Sequence, residues 1–167
     1  GYQVCVLDNL STGHQTSVDK RAHFFEGDIA DKKLLQTIVS EHHPEAIFHF
    51  AAASLVAESV TKPDFYKDNN FVRATKLAHH ALELGIQKFI FSSTAAVYGE
   101  PKRVPILETD ACQPVNPYGE TKRLFEQELL ALTALKKVIF RYFNVAGAWP
   151  DGSLGERHEP ETHLIPK

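Results

Sequence analysis

Short apolar runs alternate with longer amphipathic stretches along most of the chain, and this alternation restricts the fold more than any other feature of the sequence. Residues 3–7 (QVCVL), 46–50 (AIFHF), 88–92 (KFIFS) and 138–143 (VIFRYF) are near-continuous apolar segments of strand length. That is the pattern of strands buried in a parallel sheet. Residues 23–26 read as a weaker strand ahead of Gly27-Asp28. Between the strands, residues 31–41 place Leu34, Leu35 and Ile38 on one helical face. Residues 64–84 read as a long helix stopped by Gly85, a residue suited to a left-handed cap, and 118 to about 133 as a further helix. Strand–helix alternation of this kind predicts an α/β fold, a parallel sheet with helices on both faces.

Other readings are excluded by composition. Of the 167 residues, 43% are hydrophobic and 23% charged, the balance of a globular domain with a real core. A formal net charge of −3 gives no electrostatic case for nucleic acid or an anionic membrane as partner. No apolar run approaches the roughly 20 residues of a spanning helix. Cys5 lies in an apolar run and Cys112 in a polar loop, which makes no disulfide framework, so the cytoplasm is expected. No metal site is expected. With no methionine, and an apolar run two residues after Gly1, the chain is expected to begin within a fold.

In open parallel sheets ligands sit at the carboxyl ends of the strands, and residues able to bind one follow each run here. Asp8 ends the first. An acidic residue in that place of a dinucleotide fold receives ribose hydroxyls, and Asn9-Leu10 brings no arginine for a 2′-phosphate, which favours NAD over NADP. An aspartate that merely opens a turn is the competing reading. Asp28 suits either an adenine amino group or a turn. Phe50-Ala51-Ala52 lets backbone approach a flat ligand, and Ser92-Ser93-Thr94 supplies hydroxyls. The glycine-rich phosphate fingerprint is absent, because the place about 20 residues before Asp8 precedes Gly1.

Tyr118 and Lys122 in Pro117-Tyr118-Gly119-Glu120-Thr121-Lys122 stand four apart, on one face of a helix that Asn116 caps and Pro117 opens. A cation beside a phenol favours the phenolate and lowers the tyrosine pKa toward neutrality, as a general base requires. Alone the spacing is commonplace. Its force comes from the ligand-competent strand ends that precede it.

Taken in order, Asp8-Asn9-Leu10-Ser11, Glu26-Gly27-Asp28-Ile29, His49-Phe50-Ala51-Ala52, Asp68-Asn69-Asn70, Ser92-Ser93-Thr94-Ala95-Ala96-Val97-Tyr98-Gly99, Pro117 to Lys122 and Arg141-Tyr142-Phe143-Asn144-Val145-Ala146-Gly147 resemble the UDP-glucose 4-epimerases of the extended short-chain dehydrogenase/reductase family. The resemblance implies a Rossmann-like doubly wound parallel sheet without its first strand and phosphate loop. Residues 1–145 would be an incomplete NAD-binding domain and 146–167 the beginning of a substrate-binding portion. It also implies reversible C4 epimerisation of UDP-glucose and UDP-galactose with NAD as cofactor, in a homodimer. Tyr118 matches the catalytic tyrosine, Lys122 the lysine that binds the nicotinamide ribose, and Thr94 the hydroxyl on the same sugar oxygen.

Asp8, Asn9, Asp28, Ile29, Phe50, Ala51, Ala52, Asn69 and Ser92 fall on cofactor-contacting positions by the same resemblance. Tyr142 and Phe143 fall on the segment closing over nicotinamide and sugar, and Asn144 on a contact to the nucleotide diphosphate. His163-Leu164 stands where many members have Asn-Leu touching the nucleotide sugar, and Ser54 where some carry a lysine for the cofactor phosphates. A nucleotide-sugar 4,6-dehydratase is the nearest rival. It would need a carboxylate pair after the fourth strand, where this chain has Thr94-Ala95-Ala96. A non-catalytic NAD sensor would be expected to lack the tyrosine or the lysine. An incomplete piece of such an enzyme, inactive and poorly soluble by itself, is the third alternative.

Overall fold

The computed structural model describes residues 1–155. Five strands form, β1 (Cys5–Asp8), β2 (His23–Glu26), β3 (Ala46–His49), β4 (Lys88–Thr94) and β5 (Lys136–Tyr142), each within three residues of its predicted bounds. All pairing is parallel, but in two sheets: β1 pairs with β2, and β3, β4 and β5 lie side by side in that order. No strand among the described residues bridges β1 and β3.

The helices follow local chemistry. Helix α1 (Lys32–His42) starts where the Asp31 carboxylate accepts from the amides of Lys33 and Leu34, satisfying donors the helix itself cannot. The long helix expected over 64–84 is instead segmented. A short α2 (Val56–Thr61) precedes α3 (Pro63–Tyr66), a π-helical stretch covers Lys67–Arg73, and α4 (Ala74–Glu83) follows. Propensity does not register a π-turn, because no residue type marks it; Asn70, discussed below, gives its tertiary reason. Gly85 ends the segment with φ of +86°, as a left-handed cap requires. Helix α5 runs Pro117–Ala131, stopping before the 133 expected, and residues 132–135 suffice to return the chain to β5.

One cluster unites Leu35 of α1, Ala74, Leu77 and Ala78 of α4, Phe89 and Phe91 of β4, and Phe125 and Leu129 of α5. The three long helices therefore cover one face of β3–β5. The second helical layer that the alternation implies is not formed by the described residues. On the other face Phe48, Val138 and Phe140 remain about half exposed, with Phe50 beside them. Leu7 and Ile29 pack against the shared cluster and tie the β1–β2 pair to it.

Candidate active site

The N-terminus of α5 is held at the end of β4. The Asn116 side chain accepts from the Gly119 amide at 2.8 Å, and Pro117 fills the first turn, as the sequence predicts. Gly119 lies so close to the next element that a Cβ there would stand 2.7 Å from the Ala96 carbonyl oxygen. That proximity brings Tyr118 up to Thr94, whose hydroxyl accepts from the Ala96 amide at 3.1 Å and caps the short turn Ala95–Tyr98.

A cleft of about 510 Å³ opens at this point. Of the residues singled out in the sequence it gathers Ser92, Ser93, Thr94, Tyr118, Tyr142, Phe143 and Asn144. It also recruits Ser54, Ala95, Ala96 and Val145, and with them Leu55 and Val56, which no motif announced. Leu55 and Val56 stand at the start of α2, which only the tertiary fold brings to the cleft.

Lys122 is buried behind the cleft at 4% exposure, and this desolvation lowers its pKa from 10.5 to about 8. Its Nζ donates to the Ser92 carbonyl at 2.9 Å and stands 4.9 Å over the Phe91 ring and 5.9 Å from the centre of the Tyr118 ring. The expected lowering of the tyrosine pKa is not what these contacts give. Burial pushes the Tyr118 phenol up, and only the neighbouring Thr94 hydroxyl works the other way. Desolvation outweighs the cation because the amine is aimed at a backbone carbonyl, not at the phenol oxygen.

The cofactor candidates line the strand ends outside the cleft. Asp8 closes β1 and accepts the Leu10 amide at 2.7 Å through Oδ1, where Leu10 has φ of 56°; Asn9 accepts the Ser11 amide at 3.0 Å. Both therefore do the turn work of the competing reading, and no hydrogen bond among the described residues engages Asp8 Oδ2. Asp28 accepts the Ala30 amide through Oδ1 at 2.8 Å, while Oδ2 is ion-paired to Arg73, which also reaches Asp68 at 2.8 Å. An adenine amino group would have to share that carboxylate with a guanidinium. Ile29 faces the core, Phe50 is exposed, and Ala51 and Ala52 are half-buried after β3. His163 and Leu164 lie outside the described residues.

Asn69, a cofactor candidate from the sequence, bonds to its chain neighbour. Its amide donates to Asn70 Oδ1 at 3.0 Å, and Asn70 itself binds both the amide and the carbonyl of Ala53 at 2.8 Å each. Asn70, 1% exposed, acts as a surrogate strand neighbour for the segment after β3. The pair Asn69-Asn70 was visible in the sequence, but choosing between them needs the π-turn that rotates Asn70 inward. Glu126, Arg141 and His49 are further buried or half-buried polar groups around the site that the motifs left without a role. Among the described residues no His/Cys/Asp/Glu group could hold a metal, and no helix is long and apolar enough to cross a membrane.

Comparison with known proteins agrees with this geometry. The model of the NAD dependent epimerase/dehydratase family matches residues 1–167. The UDP-glucose 4-epimerase of Lacticaseibacillus casei is 52% identical over 169 residues, covering 99% of this chain and 51% of that protein. The crystal structure of UDP-glucose 4-epimerase from Brucella ovis in complex with NAD superposes with a TM-score of 0.95 at 46% identity, over 99% of this chain and 52% of that one. The Thermotoga maritima UDP-glucose 4-epimerase with UDP-glucose gives 0.83 at 38%, over 93% and 52%. The chain spans about half the length of the curated relatives it matches.

Proposed function

The chain belongs to the NAD dependent epimerase/dehydratase family, and from that premise we propose that it carries the NAD-binding and acid/base residues of a UDP-glucose 4-epimerase, interconverting UDP-glucose and UDP-galactose. The observation that carries the reading is the convergence of Thr94 and Tyr118 on one cleft, with a buried cation, Lys122, one helical turn behind the phenol. Relatives of known structure hold NAD or UDP-glucose, as described above.

The donor set fits the cofactor. Asp8 keeps a carboxylate oxygen for a ribose hydroxyl, Ala51 and Ala52 leave the backbone open after β3, and Lys122 offers an ammonium at the ribose end. When bound, NAD supplies the acceptor and donor of the hydride at sugar C4. Tyr118 takes the proton of the 4-hydroxyl and returns it, and Thr94 holds the same oxygen. The Thr94 hydroxyl works against the desolvation that holds the phenol up, and the ammonium of Lys122 stands 5.9 Å from the centre of the ring. Tyr142, Phe143 and Asn144 wall the cleft and limit water. The reading extends to a cytoplasmic homodimer, the two free cysteines fitting a reducing compartment.

Tyr118→Phe should lower UDP-galactose turnover by about 10²–10⁴ while NAD stays bound. Near-normal turnover in that variant would overturn the assignment.

A further inference from the structure

Three polar residues, Tyr118, Lys122 and Glu126, follow one another at four-residue spacing along the inner side of α5, which also buries Phe125 and Leu129 in the core. A carboxylate is costly to bury unless it is paired, and Glu126 is only 3% exposed. Its partners come from three elements. Ser93 of β4 donates its hydroxyl to Oε1. Arg141 of β5 grips both oxygens, Nε donating to Oε1 at 3.0 Å and Nη2 to Oε2 at 2.6 Å. The same guanidinium donates to the Tyr98 hydroxyl at 2.8 Å, lies 4.8 Å over that ring, and reaches the Glu108 carbonyl at 3.4 Å.

Each partner neighbours a residue of the cleft. Ser93 stands between Ser92, whose carbonyl receives Lys122, and Thr94; Arg141 precedes Tyr142; Tyr98 ends the turn that Thr94 caps. We infer that the Glu126–Arg141 pair is a positioning device for this site: it locks α5 against the ends of β4 and β5, and it absorbs the Glu126 charge so that the ammonium of Lys122 serves Tyr118. The inference rests on the proposed role of Tyr118. Without Arg141, the cations left on α5 within a turn of Glu126 would be the buried Lys122 and the half-exposed Arg123, which stands 3.9 Å from Glu120. The other ionisable groups facing these residues are His49 and Tyr66, the latter bonded to Glu58, on the Lys122–Tyr118 side, and Tyr98 and Cys112 beside Arg141.

The test measures, in the native polypeptide and a Cys112→Ser background, the acid limb of the turnover-versus-pH profile. Phenolate absorbance of Tyr118, taken as the difference from the same protein carrying Tyr118→Phe, gives a readout independent of turnover. Arg141→Met leaves Glu126 unneutralised and should move both curves up by about one pH unit. Glu126→Gln keeps an acceptor for Ser93 but strands the Arg141 charge, and should move them down. Glu126→Gln combined with Arg141→Met should return them toward the parent. Arg141→Lys, which keeps the charge and loses the fork, should lower kcat several-fold with the curves in place, and it covers the case in which Arg141→Met does not fold. Shifts of the same sign in both single variants, or lowered kcat with unmoved curves in all of them, would overturn the inference. Normal turnover in Tyr118→Phe would instead sink the acid/base assignment on which it rests.

Discussion

Lys122 carries its charge only below about pH 8, because burial takes its ammonium out of water. The support it lends to the Tyr118 phenolate should therefore fade as pH rises through 8, giving turnover a descending alkaline limb there. Lys122→Arg, charged throughout, should remove that limb while lowering turnover; a profile that stays flat to pH 9.5, roughly the far side of such a titration, would contradict this. His49 is the second residue whose burial sets a pH response. Packed among Phe89, Phe91 and Phe125, it is held down from 6.5 to about 3, by desolvation first and by the Lys122 charge second. Between those values the unfolded chain binds a proton that the folded chain refuses, so stability is lost as pH falls from 6.5 toward 3. His49→Leu should flatten that loss, measured as urea midpoints between pH 7 and 4. On the reading that the free Asp8 oxygen receives a ribose hydroxyl, NAD should bind more tightly than NADP, and Asp8→Ala should weaken NAD and narrow the difference in a titration of each nucleotide.

The placement of α5 depends on Gly119, the residue after Tyr118. Alanine is ordinarily the better helix former by about 1 kcal/mol, yet here its Cβ would meet the backbone oxygen of Ala96 at 2.7 Å, and backbone cannot step aside as a side chain does. Gly119→Ala should therefore destabilise by about 1–3 kcal/mol and lower turnover by moving Tyr118 away from Thr94, a pairing of effects visible in denaturation and kinetics together. The π-turn is the other element that the site depends on. Asn70→Ala leaves the amide and carbonyl of the half-buried Ala53 without their protein partners, at a cost of about 1 kcal/mol, and loosens the Ala51–Ala53 segment. Reduced NAD affinity alongside a lowered urea midpoint is the expected result.

Among the described residues, the edges of β1 and β3 that face away from β2 and β4 are unpaired, and one face of β3–β5 presents Phe48, Phe50, Val138 and Phe140 to solvent. Unpaired edges and contiguous apolar patches both favour self-association. The 167-residue polypeptide by itself should aggregate, and Val138→Ser with Phe140→Ser should reduce that tendency in sedimentation experiments. A dispersed monomer spectrum from the unsubstituted chain would count against this view.

How much was legible beforehand follows from which forces are local. Strand positions, the Asn116 cap, the Gly85 stop and the Tyr118–Lys122 face are set by side-chain period, capping chemistry and backbone freedom within a few residues, so the sequence determined them without reference to the rest of the chain. Parallel pairing followed too, because continuous apolar strands joined through helices have few other solutions. What only the tertiary structure decided are the relations that close between distant segments. The π-turn exists to reach Ala53, Arg73 reaches Asp28 across 45 residues, and Glu126 finds Ser93 and Arg141 on two different strands. The raised phenol of Tyr118 belongs with these. Four-residue spacing places the cation near the ring, but whether desolvation or charge prevails depends on which oxygen the amine is aimed at, and packing on β4 turned it toward Ser92.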